Sequence, residues 1–392
     1  MSIPYGRQDV TQADVDAVSE ALRSDFITQG PLVPAFERAV AEQCGARHAV
    51  AVNSATAALH VACLALGVGA DDEVWTSPIT FVASANCALH CGARVDFVDI
   101  DPRTYNMSPE RLEARLEAAK AAGKLPKVVI AVHFAGQACE MAAIHALSRR
   151  YGFHLIEDAS HAIGGRYRGE PIGSGAYSTV TVFSFHPVKI VTTGEGGMAV
   201  TQDAELAARM RRLRTHGITR DHAEMTRPSE GPWYYEQIDL GFNYRLTDIQ
   251  AALGLSQLKR LDQYVAKRKS LASSYDALLA DLPVVTPFVH ADADSAWHLY
   301  VVKLRLEQIQ SSHRRVFERM RAGGIGVNVH YIPVYRQPYY RQYGYSALDY
   351  PESESYYASA ITLPLYPRLS EEEQHRVVDM LRDAVAAHAE AR

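Results

Sequence analysis

From residue 48 onward, short runs of β-branched and apolar residues alternate with longer segments whose apolar positions recur at helical spacing. The pattern predicts strands over residues 48–53, 73–76, 95–99, 128–133 and 154–157, with helices over 56–66, 81–91, 109–122 and 141–151 between them. Ser108 followed by Pro109 reads as a cap and first helical position. Strands separated by helices of this length are joined by right-handed crossovers, which gives a mostly parallel sheet. After Gly173 the texture changes. Residues 179–185 and 197–201 read as paired strands around a polar, glycine-containing loop, followed by a helix over 203–213.

Residues 219–244 read as a loop, with Pro228, Gly231, Pro232 and the aromatic run Trp233, Tyr234, Tyr235. One long helix is predicted over 247–279. A second unit follows, with strands over 296–304 and 327–331 and helices over 311–322 and 371–388. The division falls near residue 250: residues 1–250 as an N-terminal arm and large domain, residues 251–392 as a connecting helix and small domain. Nine of the 21 tyrosines lie within 331–357, which suits packing and interfaces or the wall of a ligand cleft.

Composition narrows the function classes. In 392 residues, 47% are hydrophobic and 22% charged, as in an ordinary globular chain of two or three domains. Forty Lys+Arg against 45 Asp+Glu leave −5, too mild for a nucleic-acid footprint or a polybasic membrane patch. No apolar run approaches the roughly 18 residues of a spanning helix, and the first residues lack an apolar leader. The expectation is a cytoplasmic protein without nucleic-acid or membrane partners. Cys44, Cys63, Cys87, Cys91 and Cys139 include no CxxC pair and sit in apolar segments, so they read as reduced thiols with no metal site.

Ligands of an open α/β sheet gather at the carboxyl ends of its strands. After 48–53 come Ser54, Ala55, Thr56 and Ala57, opening a helix whose free amides suit a phosphate; Ser54 or Thr56 serves equally as a plain cap. After 154–157 comes Asp158, placed to face a cofactor or to cap a helix, with His161 close behind. After 179–185 comes His186-Pro187-Val188-Lys189, then Thr192-Thr193-Gly194-Glu195-Gly196-Gly197. A lysine projected from a tight turn after a buried strand is partly desolvated, which makes its amine nucleophilic. Phosphate cup, acid and nucleophilic lysine together match the demands of pyridoxal 5′-phosphate: an anion site, an acid against the pyridine nitrogen, and an amine for the Schiff base.

These residues resemble the DegT/DnrJ/EryC1/StrS family of sugar aminotransferases. The likeness runs nearly end to end, through Thr28-Gln29-Gly30-Pro31, Asn53 to Ala57, Thr80-Phe81-Val82-Ala83, Glu157 to Gly164, Phe183 to Lys189, Gly194 to Gly197, and Gly241 to Ala252. It implies the α/β fold-type I architecture of pyridoxal-phosphate-dependent aminotransferases: a large domain with a mostly parallel seven-stranded sheet and a smaller C-terminal α+β domain. By position, Lys189 would hold the cofactor and shuttle the proton, Asp158 would pair with the pyridinium, and Phe81 would stack on the ring. Ser54, Thr56, Ala57 and Ser184 would bind the phosphate, and His161 would line the ring. Asn243, or its neighbour Arg245, would reach the phosphate of a second subunit, which implies a homodimer with shared active sites. Some members carry histidine in place of the lysine and act as dehydratases; Lys189 argues against that here.

Within the family, Ser184-Phe185-His186, Ala252 to Leu258 and Val329 to Pro333 look most like transaminases of pseudaminic acid-type biosynthesis. The implied reaction aminates C4 of a UDP-linked 4-keto-6-deoxy-N-acetylhexosamine, with L-glutamate as donor. The transaminase of 4-amino-arabinose biosynthesis looks similar in the same blocks, and a 3-keto sugar or cyclitol ketone shares the cofactor motifs. Tyr5, Gln29, His186, His330 and Tyr331 match substrate positions, and Arg214, Arg220 or Arg227 could meet a diphosphate. An oxidoreductase would need a glycine-rich first turn and a Tyr-x-x-x-Lys pair, and neither is present. A non-catalytic relative would be expected to have lost Lys189 or Asp158.

Overall fold

The computed structural model describes residues 2–386. Its central sheet contains β1 (His48–Val52), β2 (Glu73–Thr76), β3 (Arg94–Phe97), β4 (Val128–Val132), β5 (His154–Asp158), β6 (Val180–Ser184) and β7 (Gly197–Thr201). The strand order is β1-β7-β6-β5-β4-β2-β3. Strands β2 to β6 pair in parallel, and β7 runs antiparallel to both neighbours. All residues of β4, β6 and β7 are buried, because helices cover both faces of the sheet.

On one face lie α3 (Ala55–Ala65), α4 (Ala83–His90) and α7 (Ala204–Arg214), packing Leu59, Cys87 and Met210 against Ile130 and Val182. On the other lie α2 (Leu32–Cys44), α5 (Pro109–Ala121) and α6 (Met141–Tyr151), packing Phe36, Leu112 and Ile144 against Val129 and Phe183. Neighbouring strand residues thus enter opposite cores, the alternation a pleated strand imposes. Ser108 Oγ accepts from the Arg111 amide at 3.2 Å, with Pro109 next to it, so that helix starts as its sequence predicts.

The helix expected over 247–279 is two helices, α8 (Asp248–Leu258) and α9 (Leu261–Leu278). Arg260, at φ −108 and ψ 9, breaks the helical run. Both sides of the break are tied to one buried carboxylate: Gln257 Nε2 and Arg260 Nη2 donate to Asp14 Oδ2 at 2.9 and 2.7 Å. Asp14 lies in α1 (Gln12–Arg23).

A third core joins α9 to an antiparallel sheet of β8 (Val284–Val285), β9 (Tyr300–Leu304) and β10 (Ala360–Leu363), with α10 (His313–Ala322) and α11 (Glu371–Ala386). The strand expected from 296 starts only at Tyr300. Residues 296–299 bond instead to the turn Phe134–Gly136, through Ala296 N–H to Gly136 O (3.0 Å) and Leu299 N–H to Ala135 O (3.2 Å). The run 327–331 is no strand either; one bridge, Asn328 to Thr362, ties it to β10. The segment 219–244 carries a small hairpin, Ile218–Thr219 against Glu236–Gln237. The expected end of the last helix at 388 lies outside the described residues.

Most of the tyrosine-rich segment packs inward. Tyr335, Tyr340, Tyr345 and Tyr350 surround the Phe97 ring with centroids 5.1 to 6.2 Å away, which covers the β3 edge of the sheet. All five cysteines are free thiols. Among the described residues no helix is long and apolar enough to cross a membrane, and no cluster could hold a metal ion.

Candidate active site

A cavity of about 640 Å³ opens at the carboxyl ends of β1, β4, β5 and β6. Its wall includes Ser54, Thr56, Phe81, Asp158, His161, Ser184, His186 and Lys189 from the large sheet and its loops. Tyr5, Asn328, His330 and Tyr331 close the opposite side. The structure therefore gathers most of the sequence-predicted residues into one pocket.

Ser54, two residues beyond β1, has extended backbone and caps α3, its Oγ accepting from the Ala57 amide at 3.1 Å. Ala57, expected at the phosphate, gives its amide to this cap, and its methyl is buried in the core behind the pocket. The preceding amides, of Ala55 and Thr56, have no partner within the helix and, with the helix dipole behind them, suit an anion. Gly197 makes this cradle possible. A Cβ there would lie 2.4 Å from the Ser54 carbonyl carbon, so only glycine lets β7 pass so close.

Asp158 is buried at the end of β5 and is held from two sides. Ser84 Oγ donates to Oδ2 at 2.6 Å, while the Ser160 amide and hydroxyl donate to Oδ1 at 3.1 and 2.6 Å. Because Ser84 gives its hydrogen to the carboxylate, its oxygen accepts from Thr80, 2.8 Å away. Lys189 stands on the turn after β6, closed by Lys189 N–H to His186 O (2.9 Å) and Thr193 N–H to Phe185 O (3.0 Å). Burial lowers its amine from 10.5 to about 8, against the opposing pull of Asp158. Phe81 leaves a largely open ring on the pocket.

Besides His186, three histidines line the same space. Burial, with Lys189 and His330 nearby, pushes His161 well below its usual range; burial and Lys189 push His330 down to about 3. His330 accepts from Asn328 Nδ2 at 3.3 Å and so donates from Nδ1 to Thr362 Oγ1 at 2.8 Å. The third, His298, was missed in the sequence. It is buried, its ring centroid lies 4.4 Å from that of His161, and Nδ1 has no partner among the described residues. The only signal was a histidine inside an otherwise apolar run. Ser84 and Ser160 were missed too; Ser84 is a polar residue on the buried face of an apolar helix.

Two expected residues lie elsewhere. Gln29 borders a separate depression with Arg214 and Arg245, and Asn243 is exposed beside Thr215. Neither reaches the Lys189 pocket within one chain. Arg214 lies in that depression, and its Nη1 bonds to Glu37 (2.5 Å) and the Ala51 carbonyl (2.7 Å). Arg220 sits over the Tyr235 ring, and Arg227 is exposed on the 219–244 segment.

The strand order, the single antiparallel strand and a lysine facing an acid across strand ends define a fold-type I enzyme that works with pyridoxal phosphate. The chain belongs to the DegT/DnrJ/EryC1/StrS aminotransferase family, whose pattern matches residues 8–382. It is 41% identical over 387 residues to the spore coat polysaccharide biosynthesis protein SpsC of Bacillus subtilis, covering 98% of this chain and 97% of that one. It superimposes with a TM-score of 0.89, at 30% identity, on Helicobacter pylori PseC, an aminotransferase involved in the biosynthesis of pseudoaminic acid, covering 98% and 99% of the two chains. The Streptococcus pneumoniae sugar aminotransferase Spr1654, solved in its PLP form, matches at a TM-score of 0.88 and 29% identity over 98% of this chain and 99% of that one.

Proposed function

We propose that this enzyme transfers the amino group of L-glutamate to the C4 ketone of a UDP-linked 4-keto-6-deoxy-N-acetylhexosamine. The observation that carries the reading is Lys189, a lysine with its amine lowered to about 8, sharing a pocket with a doubly held Asp158. The residues fit pyridoxal phosphate: Ser54, Thr56 and Ser184 with the open α3 amides for the phosphate, Asp158 for the pyridine nitrogen, and Phe81 for the ring. When bound, that group supplies an electron sink for negative charge at the substrate carbon.

Lys189 is the base that holds and returns the proton at that carbon, and Asp158 keeps the ring nitrogen protonated. Tyr5, Asn328, His330 and Tyr331 wall the side of the pocket opposite the sheet. The choice of a UDP-linked 4-keto hexose is supported by the sequence blocks around Ser184 and Val329 and by the likeness to PseC.

Exposed Asn243 and half-buried Arg245 lie on the same 219–247 stretch as Trp233 and Leu240, which are 70% and 82% exposed. Such apolar exposure suits a second copy of this chain, and Asn243 then completes the partner's phosphate site. Mixing Lys189→Ala with Asn243→Ala chains should restore activity that neither has alone. The reading itself is tested by adding L-glutamate to loaded protein. Conversion of the visible cofactor band to the pyridoxamine band, followed by an amino sugar in the mass spectrum, supports it. A band indifferent to glutamate refutes the donor, and turnover only with a 3-keto or pentose sugar refutes the acceptor.

A further inference from the structure

Ala135 sits in a left-handed turn, φ 58, between β4 and the rest of the pocket floor. Its amide points at His161 Nδ1, 3.3 Å away. A backbone N–H can only donate, so Nδ1 must be the unprotonated nitrogen of a neutral imidazole. The proton of His161 is then on Nε2, which lies 3.1 Å from Tyr331 Oη. In that pair His161 donates and Tyr331 accepts.

This fixes the direction of the next bond. Tyr331 Oη has one lone pair filled by His161, and among the described residues nothing accepts its own hydrogen. The phenol stays protonated, since burial and the nearby Tyr5 and Asp158 all push its ionisation up. Its ring lies 6.2 Å from that of Phe81 and lines the cavity with it. The groups around the pair favour the neutral imidazole as well. Lys189 and His330 both act against a charge on His161, and His298 packs against its face.

We infer that Tyr331 is a one-way hydrogen-bond donor into the pocket, its polarity set by the Ala135 amide through His161, and that it selects a ligand oxygen able to accept. Tyr331 would touch the ligand; His161 acts through it as a positioning residue. The inference rests on the pocket being the catalytic site. The acceptor is an oxygen in either case, borne by the cofactor ring or by the sugar.

Tyr331→Phe and His161→Phe separate these sources. If the oxygen is the cofactor's, Tyr331→Phe raises the dissociation constant for pyridoxal phosphate about tenfold and shifts the pH at which the visible band changes. If it is the sugar's, cofactor binding is unchanged and the KM for the keto sugar rises by a similar factor, with kcat largely kept. His161→Phe should move the same quantity in the same direction, by less. No change beyond twofold in any of these overturns the inference.

A second readout needs no activity. Two-bond proton–nitrogen NMR of histidine-labelled, cofactor-loaded protein should show His161 as the Nε2–H tautomer from pH 6 to 8. The Nδ1–H tautomer, or a cationic ring, overturns it even if transamination proceeds. An unresponsive glutamate assay with the Nε2–H tautomer present instead counts against the proposed reaction alone.

Discussion

Ser84, on the first turn of α4, donates its hydroxyl hydrogen to Asp158 Oδ2 across 2.6 Å. With Ser160 on the other oxygen, the carboxylate plane is set before any ligand arrives. Ser84→Ala is expected to weaken pyridoxal phosphate binding by about fivefold to tenfold. Fluorescence titration of cofactor-free protein measures this, and an unchanged affinity would show that Ser160 suffices.

Lys189→Ala removes the amine proposed to anchor the cofactor and carry the proton. Turnover should fall to background, and the loaded variant should lack the visible band of lysine-bound cofactor. Absorption spectra beside a glutamate assay decide it; a normal band would place the anchoring amine elsewhere.

Burial disfavours the Lys189 ammonium, so the amine loses its proton near pH 8 instead of 10.5. The rate of cofactor attachment to cofactor-free protein should rise about tenfold per pH unit and level off near 8. Between about 8 and 10.5 the unfolded chain holds a proton that the folded chain has shed, so stability of the cofactor-free protein should rise with pH across that window. Denaturant melts of the wild type and Lys189→Met test the second point, since the variant should lose the rise.

Gly197→Ala places a methyl group 2.4 Å from the Ser54 carbonyl. Strand β7 and the start of α3 must separate, at a cost of about 1–3 kcal/mol. Thermal unfolding should show a lower Tm, and cofactor affinity should fall with it because the phosphate cradle is the part displaced. A loss of stability with full affinity would mean that β7 moves and the cradle stays.

Much of the large sheet was legible because its strands are apolar on both faces and its helices carry a clear period. Lys189 and Asp158 were legible for a different reason: chemistry-bearing residues stood where strands end. What failed was decided by distant contacts. No local pattern announces that Asp14 will seize both Gln257 and Arg260 and break a helix between them. Nor does one show that Ala135 and Gly136 will take the amides of residues 296–299 from β9. His298 and Ser84 were hidden in apolar runs, where a polar residue reads as a flaw in the pattern until its neighbours are known.

The bond between Ser84 and Asp158 joins residues 74 positions apart, and β1 pairs with β7, the last strand of the sheet in chain order. Contacts of such long range close late, after local helices and hairpins have formed. The outer edge of the sheet and the pocket therefore both depend on contacts that close late. A cofactor that fits only the closed pocket holds that finished state by mass action.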